Sequence, residues 1–156
     1  TLEAAFSGLP ELELLVEPGR YLVADAGLLL TKVLYRKQTS KRRFVIVDGA
    51  MTDLPRPALY NAWDPVRVVS PRRGKKTLAD VVGPVCESGD FLARNRRLPP
   101  LERGDLLAVG KAGAYGFSMS SQYNSRPRAA EVLLDGRRVL LARRRETVKD
   151  IYAAET

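Results

Sequence analysis

From Phe44 onward, short apolar and β-branched runs recur about every ten residues, each closed by a turn signal, and this spacing dictates a β fold. Phe44-Val45-Ile46-Val47 stops at Asp48-Gly49, and further runs cover residues 66–69 and 79–82. Leu106-Leu107-Ala108-Val109 follows Gly104-Asp105, while residues 130–134 and 138–141 flank Asp135-Gly136 as a hairpin. Ten prolines and twelve glycines supply the turns, and 156 residues with 45% hydrophobic side chains suffice for a packed core. A β-sandwich or barrel is the expected architecture.

The first 35 residues read differently. Leu12-Glu13-Leu14-Leu15-Val16 reads as a buried strand that Glu17-Pro18-Gly19 stops in a tight turn, and residues 21–35 as a helical turn leading into a strand. If this stretch is the last βα unit of a barrel, residues 17–20 occupy the C-terminal end of a barrel strand, where active sites are built. Residues 146–152 lack proline and glycine after Thr147 and suit a short terminal helix.

The net charge of +8 raises the question of nucleic acid, because clustered Lys and Arg neutralise phosphates. The excess sits in runs at residues 41–43, 72–76 and 143–145, with few aromatic residues interleaved, so solvated surface turns are the preferred reading. No segment approaches the roughly 20 apolar residues of a membrane span. One cysteine forms no internal disulfide, which points to a reducing compartment and hence the cytoplasm. With no histidine and a single cysteine, a metal site is poorly supported. The chain opens on Thr1 without an initiator methionine, as a fragment or a processed chain would.

Four clusters bear chemistry. Glu17-Pro18-Gly19-Arg20 offers a carboxylate, backbone amides and a guanidinium suited to a phosphate, although a plain turn is the alternative. Arg56 and Tyr60 share a face if residues 56–60 are helical, with Pro57 in the first turn, and would then hold a carboxylate. Cys86, in Gly83-Pro84-Val85-Cys86-Glu87-Ser88-Gly89-Asp90, is open to three readings: packing, redox chemistry, or proton donor. Tyr115, in Gly113-Ala114-Tyr115-Gly116, is either filler at a tight bend or a ligand contact. The polar run at residues 118–126 faces a site or solvent.

Residues 17–27, 48–60, 83–92 and 112–131 are together similar, in the same order and at comparable spacing, to the diaminopimelate decarboxylase family. Tyr123-Asn124-Ser125-Arg126-Pro127-Arg128-Ala129-Ala130-Glu131 adds a fifth matching motif. The resemblance implies a mainly β C-terminal domain over residues 31–145. Residues 1–30 would precede it as the end of a TIM-type, alanine-racemase-like barrel, and residues 146–156 would follow as the terminal helix. It implies pyridoxal 5'-phosphate as cofactor and decarboxylation of meso-2,6-diaminopimelate to L-lysine. Glu17 would lie near the pyridine nitrogen, keeping the ring protonated, and Gly19 and Arg20 at the phosphate, with Arg20 also reaching substrate. Arg56 and Tyr60 would grip the distal carboxylate, Glu87 the distal ammonium, and Tyr115 both cofactor and substrate. Cys86 would be the general acid, and Cys86 with Glu87 would complete the active site of the partner subunit in a homodimer.

Ornithine and arginine decarboxylases share the Glu-Pro-Gly-Arg and Gly-Ala-Tyr motifs but usually carry Asp after the cysteine. Glu87 and Arg56 therefore favour a substrate with an amino and a carboxyl group at its far end. The Schiff-base lysine and ring-stacking histidine belong to the family's barrel, whereas this sequence has no histidine and no lysine before Lys32. The chain alone is accordingly expected to be inactive without an N-terminal barrel, and neither nucleic acid nor membrane is expected as a partner. The alternatives are a sibling decarboxylase of a carboxylated polyamine precursor, a non-catalytic paralogue, and a basic β-domain that binds nucleic acid.

Overall fold

The structure, a computed structural model, describes residues 2–8 and 13–156. Among them are eight strands: β1 (Leu29–Gln38), β2 (Arg43–Val47), β3 (Val66–Val68), β4 (Thr77–Val82), β5 (Phe91–Leu98), β6 (Leu106–Val109), β7 (Glu131–Asp135) and β8 (Arg138–Arg143). Three short helices accompany them: α1 (Leu2–Ala5), α2 (Arg56–Tyr60) and α3 (Val148–Ile151). Six strands form one sheet in the order β3-β6-β1-β2-β4-β5, and β7 pairs with β8 alone.

The sheet follows from which side chains alternate inward. Thr31 and Val33 on β1, Val45 and Val47 on β2, and Leu107 and Val109 on β6 are buried at period two. Leu54, Val81 and Leu92 close the same core. Each fully buried Leu or Val contributes about 1.5–3 kcal/mol relative to exposure. The edge strands β3 and β5 pack against each other, and Arg96 Nη2 on β5 donates to the carbonyl of Asp64 just before β3 at 3.4 Å. Of sandwich and barrel, the sheet is therefore a nearly closed barrel.

One pairing decides where the functional residues go. β2 and β4 are parallel, with Val45 opposite Val81, so the chain must cross over between them. That crossover carries α2 and β3. The tight turn 83–90 then joins β4 to antiparallel β5.

One expectation requires correction, and two features lie outside the sequence pattern. Leu12 lies outside the described residues, and residues 13–19 adopt no strand; Leu14, Leu15 and Val16 are exposed, because no described strand pairs with them. β5 escaped the sequence pattern because Arg94, Arg96 and Arg97 interrupt its apolar alternation. The ladder is irregular there: Asn95 has φ 53° and donates its N–H to Asp80 Oδ1 at 2.7 Å. The polar run at residues 118–126 contains parts of two 3₁₀ turns, Phe117–Met119 and Tyr123–Ser125. These turns are held to the β2 turn, since Arg126 Nη2 donates to the Asp48 carbonyl at 2.7 Å and the Ser121 N–H to that of Thr52 at 3.0 Å.

Candidate functional site

The segment after Pro18 forms a compact turn that docks on residues 110–116. Leu22 N–H donates to Gly19 O at 3.3 Å and Ala24 N–H to Arg20 O at 2.9 Å, leading into the 3₁₀ turn Ala24–Ala26. Gly113 N–H then donates to Ala24 O at 3.1 Å and Ala112 N–H to Gly27 O at 3.0 Å. The two backbones approach so closely that a Cβ on Gly113 would collide with the Val23 carbonyl oxygen, and one on Gly27 with the Gly113 backbone. Glycine is required at both positions by this contact.

Docking brings Tyr115 over Gly19, where its hydroxyl lies 2.7 Å from the position a Cβ would take. Tyr115 holds φ 60°, a left-handed conformation that a bulky residue adopts only when its surroundings enforce it. Arg56 and Tyr60 come to the same place on α2, with Pro57 in the first turn and left-handed Asn61 as C-cap. One turn apart, they put the Arg56 guanidinium carbon 5.2 Å from the Tyr60 ring centroid and 6.0 Å from that of Tyr115.

Four buried polar atoms around Asp64 lack a protein partner: Arg20 Nη2, Arg56 Nε, Arg96 Nε and Asp64 Oδ2. Asp64 is 1% exposed. Burial pushes its carboxyl above the usual range, while Arg20, Arg56, Lys111 and Arg96 oppose the shift. Three arginines and a lysine around one acid, beside two phenols, suit anionic groups; orphaned guanidinium donors normally find an acceptor. Asp64 and Lys111 were missed in the sequence, where a single acid between Trp63 and Pro65 carries no pattern.

Cys86 and Glu87 lie on the β4–β5 turn, both exposed. That turn is built around Asp90, which is 5% exposed. Its Oδ2 accepts from Val85 N at 2.7 Å and its Oδ1 from Met51 N at 2.7 Å, tying the turn to the segment that leads into α2. A Cβ on Gly83 would strike the Asp90 carboxylate. Glu87 Oε1 accepts from Gly89 N at 3.1 Å. Among the described residues, no hydrogen bond or ion pair joins Cys86 or Glu87 to Arg20, Arg56, Tyr60 or Tyr115, and Glu17 is exposed without a side-chain partner. The fold thus assembles Gly19, Arg20, Arg56, Tyr60 and Tyr115 and leaves Cys86, Glu87 and Glu17 outside the cluster.

An Asp90→Ala substitution should strand two donors, Val85 N and Met51 N, at about 1–3 kcal/mol each. Hydrogen exchange of those two amides should accelerate at least about tenfold; unchanged rates would show that Asp90 does not hold the turn.

A nearly closed six-stranded sheet, with arginines and phenols gathered around buried Asp64 and an exposed thiol on the β4–β5 turn, defines a sheet domain. The family model described as "Pyridoxal-dependent decarboxylase, C-terminal sheet domain" matches residues 20–113, and the chain belongs to that family. It is 58% identical over 146 residues to a diaminopimelate decarboxylase of Pseudomonas fluorescens, covering 94% of this chain and 35% of the relative. The chain thus spans about a third of that relative's length. Among solved structures, diaminopimelate decarboxylase from Helicobacter pylori complexed with L-lysine superposes with a TM-score of 0.86 at 47% identity, over 97% of this chain and 37% of that one. A lysine/ornithine decarboxylase from Vibrio vulnificus complexed with cadaverine gives a TM-score of 0.70 at 28% identity, over 82% and 35%.

Proposed function

We propose that this chain is the C-terminal part of a pyridoxal-phosphate-dependent diaminopimelate decarboxylase, which releases carbon dioxide from meso-2,6-diaminopimelate and leaves L-lysine in the cytoplasm. The observation that carries this reading is the pair of orphaned guanidinium donors on Arg20 and Arg56, held beside Tyr60 and Tyr115. The residues present fit the cofactor: Gly19 and Arg20 would hold its phosphate, Tyr115 would pack beside it, and Glu17 would supply the carboxylate at the ring nitrogen. When bound, pyridoxal phosphate supplies an electron sink for the pair left on carbon as carbon dioxide departs.

The chain's own residues bind, orient and protonate. Arg56 lies one helical turn from Tyr60, with its guanidinium over the Tyr60 ring, and the two would grip the far carboxylate of the substrate. Arg20, with a second unpartnered donor, also reaches substrate. Glu87 meets the distal ammonium. Cys86 gives its Sγ proton to the carbon that lost carbon dioxide, and the exposed turn that bears both residues reaches the active site of a second subunit. Residues 1–30 would end an N-terminal barrel that supplies the lysine anchoring the cofactor, and residues 31–145 would form the sheet domain.

In the intact protein loaded with pyridoxal phosphate, meso-diaminopimelate should yield L-lysine and carbon dioxide. Turnover of lysine or ornithine in its place would overturn the substrate assignment. Arg56→Gln keeps the size but removes the charge, and a lost charged hydrogen bond is worth about 1.5–3 kcal/mol. KM for diaminopimelate should therefore rise roughly 10–100-fold. A KM unchanged by the substitution would remove Arg56 from the binding site.

A further inference from the structure

The basic runs at residues 41–43 and 72–76 have no part in the site above, yet the fold gathers members of both. At the open end of the β4–β5 hairpin lies a cavity of about 430 Å³ lined by Lys41, Arg42, Arg43, Lys75, Lys76 and Arg97. Its one acid, Asp80, is already engaged: Oδ2 pairs with Arg42 Nη1 at 3.2 Å and Oδ1 accepts from Asn95 N at 2.7 Å. Lys41, Arg43, Lys75, Lys76 and Arg97 make no ion pair among the described residues, whereas neighbouring Arg72 pairs with both Glu102 and Asp105. Crowding unpaired like charges around one concavity costs repulsion that a multivalent anion would relieve.

A second cavity of about 410 Å³ adjoins the first, with Gln38, Arg43, Lys75, Thr77 and Ala79 common to both walls. It adds Arg36 and Lys37 but also an apolar side of Leu98, Pro99 and Pro100. No aromatic side chain lines the larger cavity and only Phe44 reaches the smaller, which leaves no platform for stacked bases. β4 separates this groove from the Cys86 turn: the five residue-to-residue steps from Thr77 to Val82 span about 17 Å. The groove is thus at the opposite end of the hairpin from the residues proposed for catalysis.

We propose that the cavity of about 430 Å³ is a second ligand site, for a small molecule carrying two or more phosphates. The phosphates lie among Lys41, Lys75, Lys76 and Arg97. The site stands independently of the decarboxylase assignment. Its binding should be steeply salt-dependent, since salt screens the attraction between exposed lysines and arginines and the phosphates.

The test uses inorganic tripolyphosphate as probe on the intact protein, by calorimetry at about 150 mM salt. Tripolyphosphate should bind at least tenfold more tightly than orthophosphate. The double substitution Lys75→Glu with Arg97→Glu, both at exposed positions, should weaken it at least tenfold while leaving the melting temperature and decarboxylation kinetics unchanged. Arg20→Ala should leave tripolyphosphate binding intact. Affinity that survives the double substitution, or that Arg20→Ala abolishes, overturns the proposal. So does a single-stranded oligonucleotide that binds this groove more tightly than tripolyphosphate.

Discussion

Cys86→Ala in the intact protein is expected to lower kcat by about 10²–10⁴, the usual contribution of a positioned general acid, with KM for diaminopimelate nearly unchanged. The split follows from geometry. Cys86 is exposed on the β4–β5 turn, and no hydrogen bond joins it to Arg20, Arg56 or Tyr60, so its loss removes a proton donor without disturbing the carboxylate grip. The same separation predicts complementation. If the thiol serves a second subunit, mixing Cys86→Ala with Arg20→Ala protein creates heterodimers with one complete site. Random assortment then restores roughly a quarter of wild-type activity. Two inactive variants that stay inactive on mixing would place Cys86 in its own subunit's site or outside catalysis altogether.

Gly113→Ala should produce the largest loss of stability of any single methyl addition proposed for this chain. The added Cβ meets the Val23 carbonyl oxygen, and backbone atoms cannot swing aside as a long side chain can. Either the turn at residues 19–27 or the loop at residues 110–116 must lift, breaking the Gly113-to-Ala24 and Ala112-to-Gly27 hydrogen bonds. A cost of about 2–4 kcal/mol is expected, in the range of strain and lost hydrogen bonds combined. Denaturant unfolding would measure it, and exchange of the Ala112 and Gly113 amides would localise it. Gly8→Ala is the control, since nothing lies within 4 Å of its added Cβ and its φ is not positive. Equal effects at positions 8 and 113 would show that the close approach is not structurally required. Because Tyr115 reaches Gly19 only through this docking, Gly113→Ala should also weaken pyridoxal phosphate binding.

The strands legible in the sequence are those with one buried face and an uninterrupted alternation. β2 and β6 show it, with Val45, Val47, Leu107 and Val109 inward. β5 does not, because its arginines have uses that hydropathy does not register: Arg94 lies 3.6 Å from the Phe91 ring centroid and Arg96 lies 4.6 Å from that of Trp63. The expected strand through Leu14, Leu15 and Val16 shows the converse. Apolar character alone makes no strand when no neighbour is in register to take its backbone hydrogen bonds. Arg56 and Tyr60 were legible as a pair because a helical turn is local. Asp64 was not, because its importance comes from burial among four cationic side chains contributed by separate segments.

Turn punctuation, the β class and the chemical inventory are legible in the order of residues: a loop-borne thiol beside an acid, an arginine one helical turn from a tyrosine, and glycines flanking Tyr115. Such features act over a few residues, so spacing reveals them. Which of them meet is settled by long-range pairing and packing. The parallel β2–β4 pairing carries α2 across the sheet, backbone contact between Gly27 and Gly113 brings Tyr115 over Gly19, and the β4–β5 hairpin sends Cys86 to one end and the basic groove to the other. Those choices depend on register and close packing between segments far apart in the chain, which no local pattern records.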